Sequence, residues 1–398
     1  MFGRGKGSKA SEGDLAAQVV EWRRWLHENA ERSYEEHETT DYVASVLEDM
    51  GLKVHRFDMG TGLWCDVPAA DGASSKDVVG LRADIDALPM AEDTGLDFAS
   101  ANEGVSHACG HDAHTAMLLG AASLLVADPP PQPVRLIFQP AEETQPGGAK
   151  KCVEEGVTDG LAQLMGLHCD PHRPTGEVGV IAGPITSSNA NFGITVTSSG
   201  GHTARPHETG DTIFAAAQIV TGLTAALDRR VDPRAGAVLT FGSINGGSAV
   251  NVIPAKVEMW GTLRSAKRDV WEIGEELVTT SVASIAATFG VEAEVTYTQG
   301  PPPVINDEEC AERARAAVVS VFGEEGVGTA EQSSGGDDFS WYLDSVPGVY
   351  LRFGVHSGKG EETDLHHPGF MLDESALEPG ARLFDAFARL DRDAGEGS

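Results

Sequence analysis

Side chains able to bind a metal ion and to move a proton gather at a few places in this chain. Arg82-Ala83-Asp84-Ile85-Asp86 follows a short apolar run, and His107-Ala108-Cys109-Gly110-His111-Asp112-Ala113-His114 precedes an apolar stretch. Gln139-Pro140-Ala141-Glu142-Glu143 follows a second run, His168 closes the run Leu161–Leu167, and His366-His367-Pro368 stands further on. One thiol with several imidazoles and carboxylates is a mixed sulfur, nitrogen and oxygen donor set, suited to zinc or another divalent transition metal. Cys109 and His111, two apart, can reach one ion from a turn that leads into a helix. Adjacent Glu142 and Glu143 cannot point the same way on an extended chain, so one can bind metal while the other faces substrate. Metal-assisted hydrolysis needs that division: an ion lowers the pKa of water, and a nearby carboxylate takes the proton and returns it to the leaving group.

These groups need a scaffold that brings distant segments to one place. The apolar runs Val78–Leu81, Val134–Phe138, Leu161–Leu167 and Val349–Val355 read as buried strands, and His114–Ala127 reads as an apolar helix. Glu12–Met50 reads as one helix or two. Alternating strand and helix predicts an α/β fold, a sheet with helices on both faces, whose polar clusters converge just beyond the carboxyl ends of the strands. Between Asn191 and Gln299 the pattern changes to strand, helix, two strands, helix, strand, the ferredoxin-like order. Gly183-Pro184 before it and Gly300-Pro301-Pro302-Pro303 after it mark linkers. The expected organisation is a catalytic domain in two parts, 12–187 and 300–390, with an inserted domain at 188–299.

Composition narrows the partners. Sixty-one acidic residues against 29 basic ones give a formal charge of −32, which repels phosphate backbones and anionic lipids, so neither nucleic acid nor a membrane is an expected partner. No apolar run reaches the roughly 18 residues of a membrane span, and the polar stretch Met1–Gly13 lacks a signal-peptide core. Five scattered cysteines form no disulfide framework and fit a reducing, cytoplasmic setting. Cys65, Cys152, Cys169 and Cys310 read as ordinary small residues, and His27, His37, His55 and His172 as structural or surface ones. Gly242–Ser248 reads as a hairpin connection, and phosphate-binding glycine motifs and a nucleophile elbow are absent.

The three motifs Leu81–Pro89, His107–Ala116 and Phe138–Glu143 resemble those of the aminoacylase/carboxypeptidase amidohydrolases, in the branch of hippurate and indole-3-acetyl-amino-acid hydrolases. The resemblance continues through Gly166-Leu167-His168, Gly200–His207, Asn251–Pro254, Gly261–Arg264 and Leu365–Pro368. It implies a zinc-peptidase-like catalytic domain with a mixed sheet, two divalent ions (Zn, Mn, Co or Ni) per subunit, and an inserted α+β lid through which a homodimer forms. By motif, the metal ligands would be Cys109, His111, Glu143, His168 and His366, the last favoured over His367 by its Leu-His-x-Pro frame. Glu142 would be the general base, His202 the oxyanion stabiliser, Asp86 the carboxylate that orients a ligand, and Asn251 and Arg264 the holders of the substrate carboxylate. Thr144 stands where relatives more often have glycine, and Asp337-Asp338-Phe339 where Glu-Asp-Phe is common. The implied reaction is hydrolysis of the amide of N-acyl amino acids of acetyl, benzoyl or indole-acetyl type. Alternatives are a carboxypeptidase or dipeptidase on the same site, or a catalytically silent metal-binding regulatory protein.

Nine lysines against twenty arginines, beside so many carboxylates, suggest adaptation to high salt. Carboxylate repulsion reaches further as the Debye length grows from about 3 Å at 1 M to about 30 Å at 0.01 M. The thermal unfolding midpoint is therefore expected to climb as potassium chloride rises over that range; a midpoint that stays fixed would contradict the halophilic reading.

Overall fold

The computed structural model describes residues 12–73, 77–359 and 363–390; the polar stretch before Glu12 lies outside them. Among the described residues the α-helices are α1 (Glu12–Glu28), α2 (His37–Asp49), α3 (His111–Ala127), α4 (Gly148–Glu154), α5 (Thr212–Arg230), α6 (Arg268–Thr288), α7 (Glu308–Phe322) and α8 (Leu377–Arg389). The chain divides into two compact units, one of residues 1–183, 305–331 and 341–398, the other of 184–304 and 332–340.

The first unit is built on an eight-stranded mixed sheet. Its first strands are β1 (Val54–Arg56), β2 (Leu63–Val67), β3 (Val78–Asp84), β4 (Val134–Gln139) and β5 (Leu161–Pro174), and they lie in the order β1-β2-β4-β3-β5. Gly348–His356 follows β5, then Val178–Gly179 and Val327–Gly328. β4, β3, β5 and Gly348–His356 run parallel, so the carboxyl ends of β3 and β4, where Asp84 and Gln139 stand, open on the same edge. The parallel strands are apolar almost without alternation and largely buried, as a sheet covered on both faces requires.

Three features differ from the sequence expectation. β1 and β2 are added beside β4; at three and five residues they are too short to stand out by periodicity. β5 runs on to Pro174, carrying His168 inside the strand rather than after it. α3 begins at His111, three residues earlier than its apolar run, because Gly110 takes φ 85° at the N-cap and turns the chain sharply into the helix.

The second unit is a four-stranded antiparallel sheet ordered 238–246, 256–265, 188–197, 292–299. α5 and α6 pack on it over their own core of Phe192, Ile194, Ile219, Leu223, Met259 and Leu277. In chain order the strands sit 2-3-1-4, the ferredoxin-like arrangement. Gly242–Ile244 continues the strand Val238–Gly246, so the connection falls at 247–251, later than the glycine run suggests. Among the described residues no helix is long and apolar enough to cross a membrane.

α3 is buried on every side by α1, α8 and the sheet, and Gly120 permits that closeness: a Cβ there would meet Ala381 Cβ at 2.6 Å and Val19 Cγ1 at 2.7 Å. Gly120→Ala gains about 1 kcal/mol of helix propensity but overpacks three helices, which typically costs about 1–3 kcal/mol. The denaturant midpoint is expected to fall, and further in Gly120→Val; a raised midpoint in both would show that the helices part without cost.

Candidate metal centre

At the carboxyl edge of the first unit's parallel strands, the donor atoms of Cys109, His111 and His168 lie within 4.8 Å of one another, and so do those of Cys109, Glu143 and His366. Cys109 Sγ is 3.4 Å from His168 Nε2, and Glu143 Oε1 is 3.3 Å from His366 Nε2 and 3.8 Å from His111 Nε2. All five residues assigned to metal by motif therefore meet at one place. His366 reaches it through a left-handed backbone (φ 59°) pinned by its N–H to Ala108 O at 2.8 Å. The neighbouring His367 turns its Nδ1 to the Gly369 N–H instead.

Each imidazole is oriented by its other nitrogen. His111 donates Nδ1–H to Asp86, 2.9 Å from the carbonyl and 3.2 Å from Oδ1, which leaves Nε2 bare toward Glu143. His168 donates Nδ1–H to Cys169 O at 2.8 Å and presents Nε2 to Cys109. Asp86 is buried; its Oδ2 also accepts from Glu143 N at 2.9 Å and Ser33 Oγ at 2.7 Å, so one carboxylate fixes two donor residues. His114, nearby, is committed elsewhere: its Nε2 accepts Cys169 N–H at 2.9 Å and its Nδ1–H donates to Asp84 at 2.6 Å.

Among the described residues, His111 Nε2 and Glu143 Oε1 are buried with no hydrogen-bond partner. An imidazole nitrogen and a carboxylate oxygen that face one another at 3.8 Å beside a thiol, too far apart for a hydrogen bond, leave room for a cation between them. The residues thus fit a divalent metal. Glu142 stands at the rim of this group, its carboxylate within 4.8 Å of the His111 and Glu143 donor atoms. His202, Asn251 and Arg264 belong to the second unit. His202 is exposed on a short strand paired with Val252–Ile253, its Nδ1 accepting Ala204 N–H at 3.1 Å, which leaves Nε2–H free to donate. Thr203 N–H reaches Asn251 O at 3.2 Å, and Arg264 donates to Ser334 O at 2.9 Å.

Residues that the motifs do not single out also shape the site. Burial penalises the Asp84 carboxylate, but Arg82, His111 and His114 overcome this and hold its pKa well below the usual range. His27, read from sequence as structural or surface, is structural: it is buried and hydrogen-bonded to Asp112 at 2.8 Å and Glu92 at 3.1 Å, with Arg23 on the same Asp112 oxygen at 2.7 Å. Burial opposes its charge, yet Asp112 and Glu92 push it up to about 9, so it is a structural cation beneath the start of α3. The partners of His27 come from segments 65 and 85 residues away, and no local spacing announces them.

The chain matches the peptidase family M20/M25/M40 over residues 80–390. It is 38% identical to the N-acetyl-L-cysteine deacetylase of Bacillus subtilis over 91% of this chain and 85% of that one. A solved structure of the YxeP protein of Bacillus subtilis, described as a dinuclear metal-binding peptidase of the M20 family, superposes with a TM-score of 0.81 at 34% identity. It covers 94% of this chain and 97% of that one. A Rhodococcus jostii protein named as a putative glutamate–cysteine ligase is 50% identical over 95% of this chain, which spans only 47% of that longer protein. The chain belongs to peptidase family M20/M25/M40. Its fold and buried donor set are those of a metal-dependent amidohydrolase.

Without a cation, burial and the charges of Glu143 and Glu142 raise the Cys109 thiol well above its usual range. His111, despite burial, is pushed up to about 10 by Asp84 and Asp86. Both are protonated at neutral pH and must release a proton to donate a lone pair, so metal affinity rises with pH. For each proton displaced, affinity is expected to fall about tenfold per pH unit between pH 8 and 6. Calorimetric Zn²⁺ titration in buffers of different ionisation enthalpy measures this; equal affinity at both pH values with no proton release would contradict it.

Proposed function

We propose that the protein hydrolyses the amide of N-acyl amino acids, releasing a carboxylic acid and a free amino acid, with two divalent ions held by Cys109, His111, Glu143, His168 and His366. The observation that carries this reading is the pairing of a converging donor set, whose His111 Nε2 and Glu143 Oε1 are buried without a hydrogen-bond partner, with a second glutamate, Glu142, beside it but outside the His168–Cys109 and His366–Glu143 contacts. An ion bound there supplies Lewis-acid polarisation of the carbonyl and a more acidic water. Glu142 takes the proton from the attacking water and returns it to the leaving nitrogen. Asp86 keeps His111 in the tautomer that presents Nε2 and anchors the Glu143 backbone. His202 donates Nε2–H to the developing oxyanion, and Asn251 and Arg264 hold the substrate carboxylate, the guanidinium in bidentate fashion.

Two of the relatives, both from Bacillus subtilis, are named as N-acetylcysteine deacetylases, which favours N-acetylcysteine as the first member of a substrate panel. Benzoyl and indole-acetyl conjugates, the substrates of the hippurate-hydrolase branch, are its second arm. A free N-terminal amine, tolerated by a dipeptidase or carboxypeptidase but not here, is its third. All five cysteines are buried and none is joined in a disulfide, which supports a reducing, cytoplasmic setting. We also assign homodimerisation to the second unit, supported by the edge strand Val238–Gly246 with Val238, Ile244 and nearby Trp260 exposed. Sedimentation at nanomolar protein tests it, and full activity in a monomer removes any role of His202 on a partner subunit.

The two neighbouring glutamates give the direct test. Glu142→Gln keeps shape but cannot accept a proton, so metal content and KM stay close to wild type while kcat falls about 10²–10⁴-fold. Glu143→Gln removes an anionic ligand, so metal content falls first and excess metal restores part of the activity. Metal analysis beside kcat and KM separates the roles: metal lost from Glu142→Gln and kept in Glu143→Gln reverses them, and full activity in both removes the two glutamates from the catalytic site.

A further inference from the structure

The connector between α1 and α2, residues 29–36, lies outside the residues that match the family, yet four of its residues hydrogen-bond to the segments that carry the metal centre. Ser33 Oγ donates to Asp86 Oδ2 at 2.7 Å, and Ala87 N–H donates to Glu31 O at 2.8 Å, so the connector clasps the loop after β3. Tyr34 OH donates to Pro146 O at 2.7 Å. Glu36, fully buried, accepts the Ala141 N–H on Oε1 at 2.7 Å.

The last contact is unusual for a residue in that position. Glu36 is the N-cap residue of α2, where a carboxylate ordinarily accepts from its own helix's first N–H groups. Here Glu31 takes that task, its two oxygens receiving Glu38 N–H at 3.2 Å and Thr39 N–H at 2.8 Å. Glu36 is thereby released to cross to another segment 105 residues away. Its target, Ala141, has φ 55°, a left-handed conformation that a residue with a Cβ resists. The other side of that turn is closed by Gly148 N–H to Ala141 O at 2.8 Å, where a Cβ on Gly148 would meet Pro140 O at 2.0 Å. The next two residues are Glu142 and Glu143.

We propose that the α1–α2 connector is a strap on the metal centre and that Glu36 is its positioning residue, holding the left-handed Ala141 turn so that Glu142 and Glu143 point to different tasks. The roles of those two glutamates rest on the function proposed above; the strap itself rests on the contacts. Carboxylate charge is not what the strap uses: an oxygen acceptor at that spot suffices, so Glu36→Gln keeps it and Glu36→Ala loses it.

The experiment uses full-length metal-loaded protein, with Co²⁺ as a spectroscopic probe beside steady-state kinetics. Glu36→Ala is expected to weaken Co²⁺ binding and lower kcat, each by roughly 10–100-fold, with the Co²⁺ visible spectrum altered and KM nearly unchanged. Glu36→Gln retains most of the affinity, spectrum and kcat. Adding Ala141→Gly to Glu36→Ala recovers part of the loss, because glycine holds φ > 0 unaided. Arg32→Ala, an exposed change on the same connector, alters none of these. Should Glu36→Ala not fold, Glu36→Met, which fills the space without an acceptor, carries the same expectation. A folded Glu36→Ala or Glu36→Met with wild-type spectrum and kcat overturns the strap, as does Glu36→Gln as impaired as Glu36→Ala. If no N-acyl amino acid is turned over by wild type, the functional reading falls while the Co²⁺ arm still decides the strap.

Discussion

Asp86 is a carboxylate buried just past the end of a parallel strand, and three segments of the first unit hang on its two oxygens. Oδ1, with the residue's own carbonyl, holds the His111 ring; Oδ2 holds the Glu143 backbone and the Ser33 hydroxyl. Burying that charge is unfavourable in itself, and the hydrogen bonds it gathers more than offset the penalty, keeping its pKa below the ordinary carboxylate value. The geometry follows from this: β3 supplies the carboxylate, α3 supplies His111, and the turn after β4 supplies Glu143. Parallel strands matter because they deliver these segments to one edge.

A second constraint is desolvation. The first unit sets a thiol, three imidazoles and two glutamates close together, with one carboxylate oxygen and one ring nitrogen left unpaired. In the absence of a cation the charges are redistributed: Cys109 stays protonated, His111 is driven toward imidazolium, and burial beside His114 holds His168 neutral. Such a site is expected to be least stable where it is most ready for metal, and binding energy there becomes folding energy. The Arg23–Asp112–His27 network below α3 is a separate set, joined on one Asp112 oxygen, that keeps the helix start in place.

Much of this was legible in the sequence for a physical reason. Buried parallel strands are continuous apolar runs, so the polar residues that follow or interrupt them stand out, as Asp86, Glu142, Glu143 and His168 do, and Cys109 and His111 stand out before the apolar helix. The ferredoxin-like order was legible because amphipathic strands and long helices alternate with clear linkers. What escaped was long-range or local in backbone terms. β1 and β2 are too short to read, and the left-handed turns at Ala141 and His366 occur at residues that give no glycine signal. His27 looks solitary because Asp112 and Glu92 come to it only through the fold. Glu36 falls within the stretch Glu12–Met50 that reads only as one helix or two, and its partner Ala141 is 105 residues away.

The account turns on one constellation holding two ions, and diffraction recorded at the metal absorption edge from Zn²⁺-loaded crystals tests that most directly. Two anomalous peaks about 3.5–4 Å apart, enclosed by Cys109, His111, Glu143, His168 and His366 with Glu142 uncoordinated, are the expected result. A single peak, a peak ligated by Glu142 in place of Glu143, or peaks elsewhere with these five donors empty would contradict it.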